Sequence, residues 1–216
     1  MKIFALPDIA KIQAILFDMD STLYTHDEYA RTQIDLPIMR LAQLQGKTFE
    51  QMSGEIAEYR KNWAAEHKGQ AISLGNIFLS FGISIKENVR WREELYQPEK
   101  YLGEDIKLRA ALEPLASRFT LAVVTNNPVS ITERTLAVLG VNELFHAIIG
   151  LDTCGVSKPH IEPFMRASIL CGAVPENCVS VGDRYDIDIA LPLELGMGGV
   201  LVDGVEDVYR LPELLA

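Results

Sequence analysis

The stretch Ile12-Gln-Ala-Ile-Leu-Phe-Asp18-Met-Asp20-Ser-Thr22-Leu-Tyr24 begins as a short apolar run and ends in two carboxylates and a hydroxyl. Such a run is typical of a strand buried on both faces of a parallel sheet. Open α/β sheets bind ligands at the carboxyl ends of their strands, where Asp18 and Asp20 would gather negative charge. A divalent metal ion is the simplest way to make that charge tolerable. Asp is also common in turns, so this segment alone leaves a plain strand-to-turn transition as the alternative.

The composition is that of a soluble globular protein. The 216 residues are 48% hydrophobic and 23% charged, and no stretch approaches the roughly 20 apolar residues that a membrane span requires. The net charge of -10 argues against polymeric nucleic acid, because binding to a phosphate backbone needs a basic surface. A small phosphorylated metabolite is compatible with this charge, since a bound metal and a few basic side chains reverse the field locally.

Cysteine usage and the N-terminus predict a reduced, cytoplasmic protein. Cys154, Cys171 and Cys178 are odd in number and lack CxxC spacing, which indicates neither a disulfide framework nor a zinc site. Pro7 and Asp8 interrupt the N-terminal segment, so no apolar run of signal-peptide length develops there. The sequence leaves the oligomeric state open between a monomer and a homodimer.

Residues 24–102 carry helical patterns and no convincing strand. Apolar residues recur at helical spacing, and Thr48-Phe-Glu-Gln51 forms a capping box that opens a helix. Pro37 predicts a kink or break in the first helix. The predicted helices span residues 27–45, 48–63, 74–81 and 86–96.

An alternation of strands and helices follows this helical region. The predicted strands are residues 119–125, 146–150, 178–182 and 199–202. Asn127 is expected to cap the helix after the first of these, with Pro128 at the first helical position, and residues 151–156 are expected to form a loop. Strands separated by helices in this way predict a doubly wound parallel sheet with right-handed crossovers.

Polar side chains at the ends of the predicted strands resemble the four motifs of the haloacid dehalogenase (HAD) superfamily. Asp18-Met-Asp20-Ser-Thr22 matches the DxDx[TV] first motif, Thr125 the second, Lys158-Pro159 the third, and Gly182-Asp183 with Asp188 the fourth. One such match would be weak, whereas four in order at strand ends are specific. The resemblance covers the whole chain.

The resemblance implies a doubly wound, Rossmann-like α/β core with a small all-helical cap domain inserted after the first strand. The core would comprise residues 1–23 and 103–216. Residues 24–102 would form the cap, which is similar to the C1-type cap of the family.

The resemblance also implies roles for the motif residues. Asp18 would be the nucleophile that takes the phosphoryl group as an aspartyl-phosphate. Asp20 would protonate the leaving alkoxide and then activate water. The residues expected to hold the phosphoryl oxygens and the substrate are Thr125, Lys158, Thr22 and Asn126.

Mg²⁺ is the implied cofactor. Its ligands would be the Asp18 carboxylate, the backbone carbonyl of Asp20, Asp183, and Asp188 either directly or through water. These are the oxygen ligands that a hard cation prefers, and Mg²⁺ usually keeps some of its waters.

The implied activity is that of a Mg²⁺-dependent phosphatase. Dehalogenase members lack a carboxylate at the position of Asp20, because halide leaves without a proton, so Asp20 favours phosphoryl transfer. The candidate substrates are nucleoside monophosphates and sugar phosphates. The segments around Asp18 and Lys158 look similar to the pyrimidine 5'-nucleotidase branch, although Ile161 replaces the second proline of the commoner Lys-Pro-x-Pro pattern.

Two other functions remain open from the sequence. One is a phosphosugar mutase resembling β-phosphoglucomutase, which shares the motif residues and differs in the cap. The other is a non-catalytic, phospholigand-binding relative, which is disfavoured because none of the core catalytic positions is replaced.

Four further residues lie near the motifs. Tyr24, His26 and Arg31 follow the first motif and are candidates for contact with the leaving group, with hinge or packing roles as the alternative for Tyr24 and His26. Cys154 precedes Lys158 by four residues. We favour an inert loop thiol there over a redox-sensitive one.

Overall fold

The computed structural model describes residues 1–215 and has a six-stranded sheet at its centre. Its strands are β1 (Lys2–Phe4), β2 (Ala14–Phe17), β3 (Thr120–Val124), β4 (Ala147–Ile149), β5 (Cys178–Gly182) and β6 (Gly198–Leu201). They lie in the order β1-β6-β5-β2-β3-β4. β1 pairs antiparallel with β6, and all other neighbours pair in parallel. The predicted α/β class with a mostly parallel, Rossmann-like sheet is therefore confirmed.

Strand β2 lies between β5 and β3, and all four of its residues are buried. Ile15 and Phe17 pack in one hydrophobic cluster, while Ala14 and Leu16 pack in a second. Successive side chains of a strand point to opposite faces of the sheet, so both faces of β2 are covered. This double burial explains why β2 is a continuous apolar run rather than an alternating one.

Helices cover the sheet and form a separate block between β2 and β3. The block, which we call the helical insertion (residues 27–95), contains α1 (Asp27–Leu44), α2 (Phe49–Glu66), α3 (Leu74–Ser80) and α4 (Ile85–Leu95). The other helices are α5 (Ile106–Ala116), α6 (Val129–Leu139), α7 (Leu151–Cys154), α8 (Ile161–Leu170), α9 (Ala190–Glu194), α10 (Val205–Val208) and α11 (Leu211–Leu214). Among residues 1–215, no helix has the length and apolar character needed to cross a bilayer.

The helical insertion buries a hydrophobic cluster of its own, with Leu41, Phe78 and Trp91 fully enclosed. The predicted capping box is present at the start of α2. Thr48 Oγ1 accepts from the backbone N–H of Gln51, and Gln51 Oε1 accepts from the backbone N–H of Thr48. The limits of the cap domain, residues 24–102, remain a prediction.

Three local expectations from the sequence were incomplete or wrong. β1 was not predicted, because this three-residue edge strand exposes Lys2 and Ile3 and so lacks a buried periodicity. The expected loop at residues 151–156 contains the short helix α7. Helix α1 continues through Pro37 without a break, and a kink at this position stays a prediction.

Helix α6 begins at Val129, with Pro128 as its N-cap, so the predicted start was one residue too early. Asn127 does not cap this helix. Its side-chain amide instead makes two other hydrogen bonds. Nδ2 donates to Asp20, and Oδ1 accepts from Arg92. A tertiary contact has therefore replaced the local cap that the sequence pattern favours.

We expect Trp91→Ala to lower the free energy of unfolding by roughly 3–5 kcal/mol, because truncating a buried aromatic side chain leaves a cavity. Trp63→Ala is the matched control. Trp63 is half-buried and should cost well under half as much. The chain has two tryptophans, so the fluorescence of the remaining indole follows urea unfolding in each variant. Equal losses of unfolding free energy in the two variants would contradict the burial of Trp91.

Candidate active site

Lys158 lies at the carboxyl edge of the sheet, buried among the ends of β2 and β3. Its Nζ donates to Asp18 Oδ1 at 2.8 Å, to Asp188 Oδ1 at 2.6 Å and to the backbone oxygen of Val124 at 2.6 Å. These bonds use all three ammonium protons. Burial alone would favour the neutral amine, but Asp18 and Asp188 outweigh it and raise the pKa of Lys158 above its ordinary value. Lys158 is therefore a fixed positive charge against Asp18.

Asp18, Asp183 and Asp188 present carboxylate oxygens that all lie within 4.8 Å of one another. Two buried oxygens, Asp18 Oδ2 and Asp183 Oδ1, have no hydrogen-bond partner among the described residues. Burial and the charge of Asp18 raise the pKa of Asp183 to about 7. Crowded carboxylate oxygens without donors fit a hard divalent cation. The structure thus contains the predicted acidic cluster, and the identity of the metal remains a proposal.

The position of Asp188 depends on the end of β5. A Cβ on Gly182 would lie 2.7 Å from Asp188 Cγ, so only glycine leaves room for this carboxylate. Ser180 Oγ donates to the backbone oxygen of Asp188 at 2.7 Å, and the backbone N–H of Arg184 donates to Asp188 Oδ2 at 3.1 Å. These contacts fold the chain back so that Asp188 faces Lys158.

Arg184 lies beside the acidic cluster and was not identified from the sequence. Its guanidinium nitrogens lie 4.0 Å from Asp18 Oδ2, 3.7 Å from Asp183 Oδ1 and 3.9 Å from Asp188 Oδ2. The side chain is 44% exposed. Arg184 thus brings a second positive charge to the open side of the cluster, opposite the enclosed Lys158.

Asp20 is held by three side-chain donors. Tyr24 and Gln33 donate to Oδ1, and Asn127 Nδ2 donates to Oδ2 at 2.7 Å. Burial and the neighbouring Asp18 raise the pKa of Asp20, which favours a protonated acid. Its side chain lies outside the acidic cluster. The predicted metal contact of Asp20, through its backbone carbonyl, stays a prediction.

The three remaining predicted residues differ in their access to the site. Asn126 Oδ1 accepts from the backbone N–H of Lys158 at 2.7 Å, so it holds the lysine segment in place. Thr125 Oγ1 is buried and accepts from the backbone N–H of Asn127 at 3.1 Å. Thr22 is fully buried, and its hydroxyl has no partner among the described residues. The substrate-binding roles of Asn126 and Thr22 stay predictions.

A cleft of about 230 Å³ opens between the sheet edge and the helical insertion. The core side contributes Asp20, Asn126, Asn127, Asp183 and Arg184. The insertion contributes residues of α1, α3 and α4, which include Gln33, Leu74 and Arg92, and Tyr96 follows directly after α4. The cleft therefore joins the predicted catalytic edge to residues that lie far away in the sequence.

Comparison with known families gives a match over most of the chain. The haloacid dehalogenase-like hydrolase family matches residues 12–196. The chain belongs to this family. The match includes all the motif residues from Asp18 to Asp188, so the resemblance inferred from the sequence is confirmed.

Two relatives of this HAD-like hydrolase are named phosphatases. A phosphoglycolate phosphatase of Salmonella typhimurium (strain LT2) is 26% identical over 200 residues, which cover 84% of this chain and 78% of the relative. A glyceraldehyde 3-phosphate phosphatase of Methanocaldococcus jannaschii is 26% identical over 195 residues, which cover 86% and 82%. Together with the family match, they confirm the predicted enzyme class, a HAD-type phosphatase.

A solved HAD phosphatase from Thermococcus onnurineus has the same fold. Its TM-score is 0.65 at 19% identity, and the alignment covers 95% of this chain and 98% of that structure. The similarity extends through the helical insertion, because the covered share includes nearly the whole chain.

Several residues of the HAD-like site were missed because their burial is tertiary. Asn127 was interpreted as a helix cap, and Gln33 and Arg92 lie in helices rich in solvated polar residues. One spacing in the sequence could have indicated that Arg92 faces the interior. Asn88, Arg92 and Tyr96 recur at intervals of four, and together they form a buried row on one face of α4 and its end.

The four further residues near the motifs have different structural roles. Tyr24 donates to Asp20 and so contacts the site. His26 Nδ1 accepts from the backbone N–H of Tyr29 and caps α1. Arg31 is exposed and donates to a backbone oxygen of its own helix. Burial raises the pKa of the Cys154 thiol, which agrees with an inert cysteine.

We expect Asp183→Asn to stabilise the metal-free enzyme above neutral pH. Ionising Asp183 costs more free energy in the folded chain, where its pKa is about 7, than in the unfolded chain, where the pKa has its ordinary value of 3.8. This cost is complete above the folded pKa and disappears as the pH falls toward the ordinary value. The gain in unfolding free energy should be largest near pH 8 and smaller near pH 5, as measured by urea titration with a chelator.

Asp203→Asn is the control for this experiment, because the Asp203 side chain is 93% exposed. It should show no comparable gain at either pH. A gain from Asp183→Asn that increased toward pH 5 would contradict the raised pKa.

Proposed function

We propose that this protein is a Mg²⁺-dependent phosphatase that hydrolyses a small phosphorylated metabolite through an aspartyl-phosphate. One observation carries the proposal. Lys158 binds one oxygen of Asp18 at 2.8 Å, while the other oxygen, Oδ2, is buried without a hydrogen-bond partner among the described residues. A carboxylate fixed in this way keeps one oxygen available as a nucleophile.

In the first step, Asp18 Oδ2 attacks the phosphorus of the ester. A new P–O bond forms while the bond to the leaving oxygen breaks, and Asp20 gives its proton to that oxygen. The raised pKa of Asp20, caused by burial and by Asp18, supports its role as the acid. The leaving oxygen then departs as a neutral hydroxyl group.

In the second step, water attacks the phosphorus of the aspartyl-phosphate. The bond to Asp18 breaks, inorganic phosphate leaves, and Asp20, now a carboxylate, takes a proton from the water. Both side chains return to their starting states. Thr125 and Lys158 are the groups assigned to the transferring phosphoryl oxygens, and Thr22 and Asn126 are assigned to substrate binding.

The main obstacle to the first step is repulsion between the nucleophile and the phosphate. A pair of unit charges at close range costs about 4 kcal/mol at an effective dielectric constant of about 20. Lys158 at 2.8 Å from Asp18 Oδ1 and Arg184 at 4.0 Å from Asp18 Oδ2 offset part of this cost.

The acidic cluster supplies the proposed metal ligands. Asp18, Asp183 and Asp188 would hold Mg²⁺ together with the backbone carbonyl of Asp20. When bound, the ion would supply further positive charge against the phosphoryl oxygens. The buried oxygen of Asp183 that has no donor among the described residues, Oδ1, supports this assignment.

The size of the cleft and the relatives favour a short leaving group. The cleft of about 230 Å³ is smaller than the roughly 300 Å³ at which pockets for drug-sized ligands begin. Phosphoglycolate and glyceraldehyde 3-phosphate, which the relatives are named for, are short esters. We therefore rank small organic phosphates and short sugar phosphates above nucleoside monophosphates. Cytoplasmic location and a monomeric or dimeric state remain predictions.

We expect Asp18→Asn to abolish phosphate release, because the amide cannot form the acyl phosphate. The assay measures inorganic phosphate from a panel of nucleoside monophosphates, sugar phosphates, phosphoglycolate and a chromogenic ester. Asp203→Asn, an exposed Asp-to-Asn control, should retain wild-type turnover. Circular dichroism checks that both variants are folded.

Three outcomes would contradict the phosphatase proposal. Normal turnover by folded Asp18→Asn would exclude the nucleophile. A requirement for a bisphosphate activator, with isomerised sugar phosphate as the product, would indicate the mutase. Binding without turnover across the panel would indicate a non-catalytic relative.

We expect a chelator to silence the enzyme and Mg²⁺ to restore it. Mg²⁺ should also raise the unfolding temperature of the wild-type protein, because a ligand of the native state stabilises it by mass action. Asp183→Asn should lose most of this thermal shift, and Asp203→Asn should keep it. Full activity in chelator, or an equal shift in both variants, would refute the metal assignment.

A further inference from the structure

We propose that Arg92 binds a carboxylate on the leaving alcohol, so that the substrate is a short phosphate monoester with a second, carboxylate charge. This inference rests on the phosphatase activity proposed above, because it concerns the part of the cleft that the leaving group would occupy.

Arg92 is a buried charge that pairs directly with no carboxylate in the part of the chain that the structure describes. Among the described residues, the buried charged side chains are Asp18, Arg92, Lys158 and Asp188. Lys158 pairs with both aspartates. Arg92 is 7% exposed, and no carboxylate of the described chain lies within 4.0 Å of it. Asp20 feels the charge of Arg92 and is joined to it through the Asn127 amide, but no described carboxylate pairs with Arg92 directly. A buried charge without a direct opposite partner is costly, which favours an anion that reaches Arg92 from outside the chain.

The guanidinium of Arg92 is fixed on one side and free on the other. Nε donates to Asn88 Oδ1 at 2.9 Å, and Nη1 donates to Asn127 Oδ1 at 2.6 Å. The Tyr96 ring lies 5.6 Å from Cζ. A guanidinium has five N–H donors, so three remain, on Nη1 and Nη2, without an acceptor in residues 1–215. A planar carboxylate accepts from two such donors at once.

The position of Arg92 matches that of the leaving group. Arg92 lines the same cleft as Asp20, on the wall formed by the helical insertion. Because Asp20 would protonate the leaving oxygen, the alcohol extends from Asp20 into this part of the cleft. The side-chain amide of Asn127 bridges Arg92 and Asp20 by hydrogen bonds. A short leaving group can therefore reach both.

A carboxylate suits the site better than a second phosphate. The cleft of about 230 Å³ must also hold the transferring phosphoryl group. A planar carboxylate takes less of the remaining space than a tetrahedral phosphate. It also pairs its two oxygens with the free edge of the guanidinium.

The test compares three esters that differ only in the end of a two-carbon leaving group. They are phosphoglycolate, 2-hydroxyethyl phosphate and 1,2-ethanediol bisphosphate. In the wild-type enzyme with Mg²⁺, kcat/KM for phosphoglycolate should exceed that for 2-hydroxyethyl phosphate by roughly 10- to 100-fold, as expected for hydrogen bonds between charged groups. Absence of this preference, or a preference for the bisphosphate, would overturn the proposal.

Arg92→Gln should reduce kcat/KM for phosphoglycolate by about 10- to 100-fold more than for 2-hydroxyethyl phosphate, and this difference between the two esters should arise mainly in KM. Arg90→Gln is the matched control. Arg90 lies on the same helix with its side chain 58% exposed, and this variant should keep the wild-type ratio. An equal loss on both esters in Arg92→Gln would show that Arg92 acts only by positioning Asn127 and Asp20, and would overturn the proposal.

Calorimetric binding to the Asp18→Asn protein separates this inference from the phosphatase proposal. Phosphoglycolate should bind at least tenfold more tightly than 2-hydroxyethyl phosphate, and the difference should vanish when Arg92→Gln is added. Loss of turnover on every ester in the wild-type enzyme would defeat the phosphatase proposal, while this binding difference would still test Arg92. Equal binding of the two esters to Asp18→Asn would overturn the role of Arg92.

Discussion

The buried ammonium of Lys158 holds the active edge of the sheet together. An isolated charge at this depth would cost several kcal/mol, and the site offsets that cost with two carboxylates and one backbone carbonyl. With every carboxylate ionised, Asp18, Asp183 and Asp188 carry three negative charges against the two positive charges of Lys158 and Arg184. The two cationic side chains therefore organise the carboxylates without fully neutralising them. The negative charge that remains favours the binding of a divalent cation.

That residual charge is a cost to the fold. The pKa of Asp183 rises to about 7 because its ionised form is crowded and poorly hydrated, so the site destabilises the metal-free native state at neutral pH. The site also constrains Gly182, the last residue of β5, because any Cβ at this position would displace Asp188. The glycine and the unfavourable ionisation of Asp183 both result from bringing anionic groups together.

The sequence predicted those parts of the structure that depend on local patterns. β2 is an apolar run because both faces are buried, and Asp18, Lys158 and Asp183 were found because they follow or neighbour strand ends. Asn127 was misassigned because a polar residue before a helix usually caps it, and only the folded chain brings Asp20 and Arg92 to its side chain. In the sequence, Arg92 resembles a solvated helical arginine, and it is buried only because α4 packs against α6 and α7 in the folded chain.

Asn127 links the two halves of the cleft and has one favourable orientation. Its Nδ2 faces the Asp20 carboxylate and its Oδ1 faces the Arg92 guanidinium. Rotating the amide by half a turn would set donor against donor and acceptor against acceptor. The charge on the helical insertion therefore fixes the amide that holds the proposed acid. Removing Arg92 would leave that amide free to turn, so recognition of the leaving group and orientation of Asp20 depend on the same side chain.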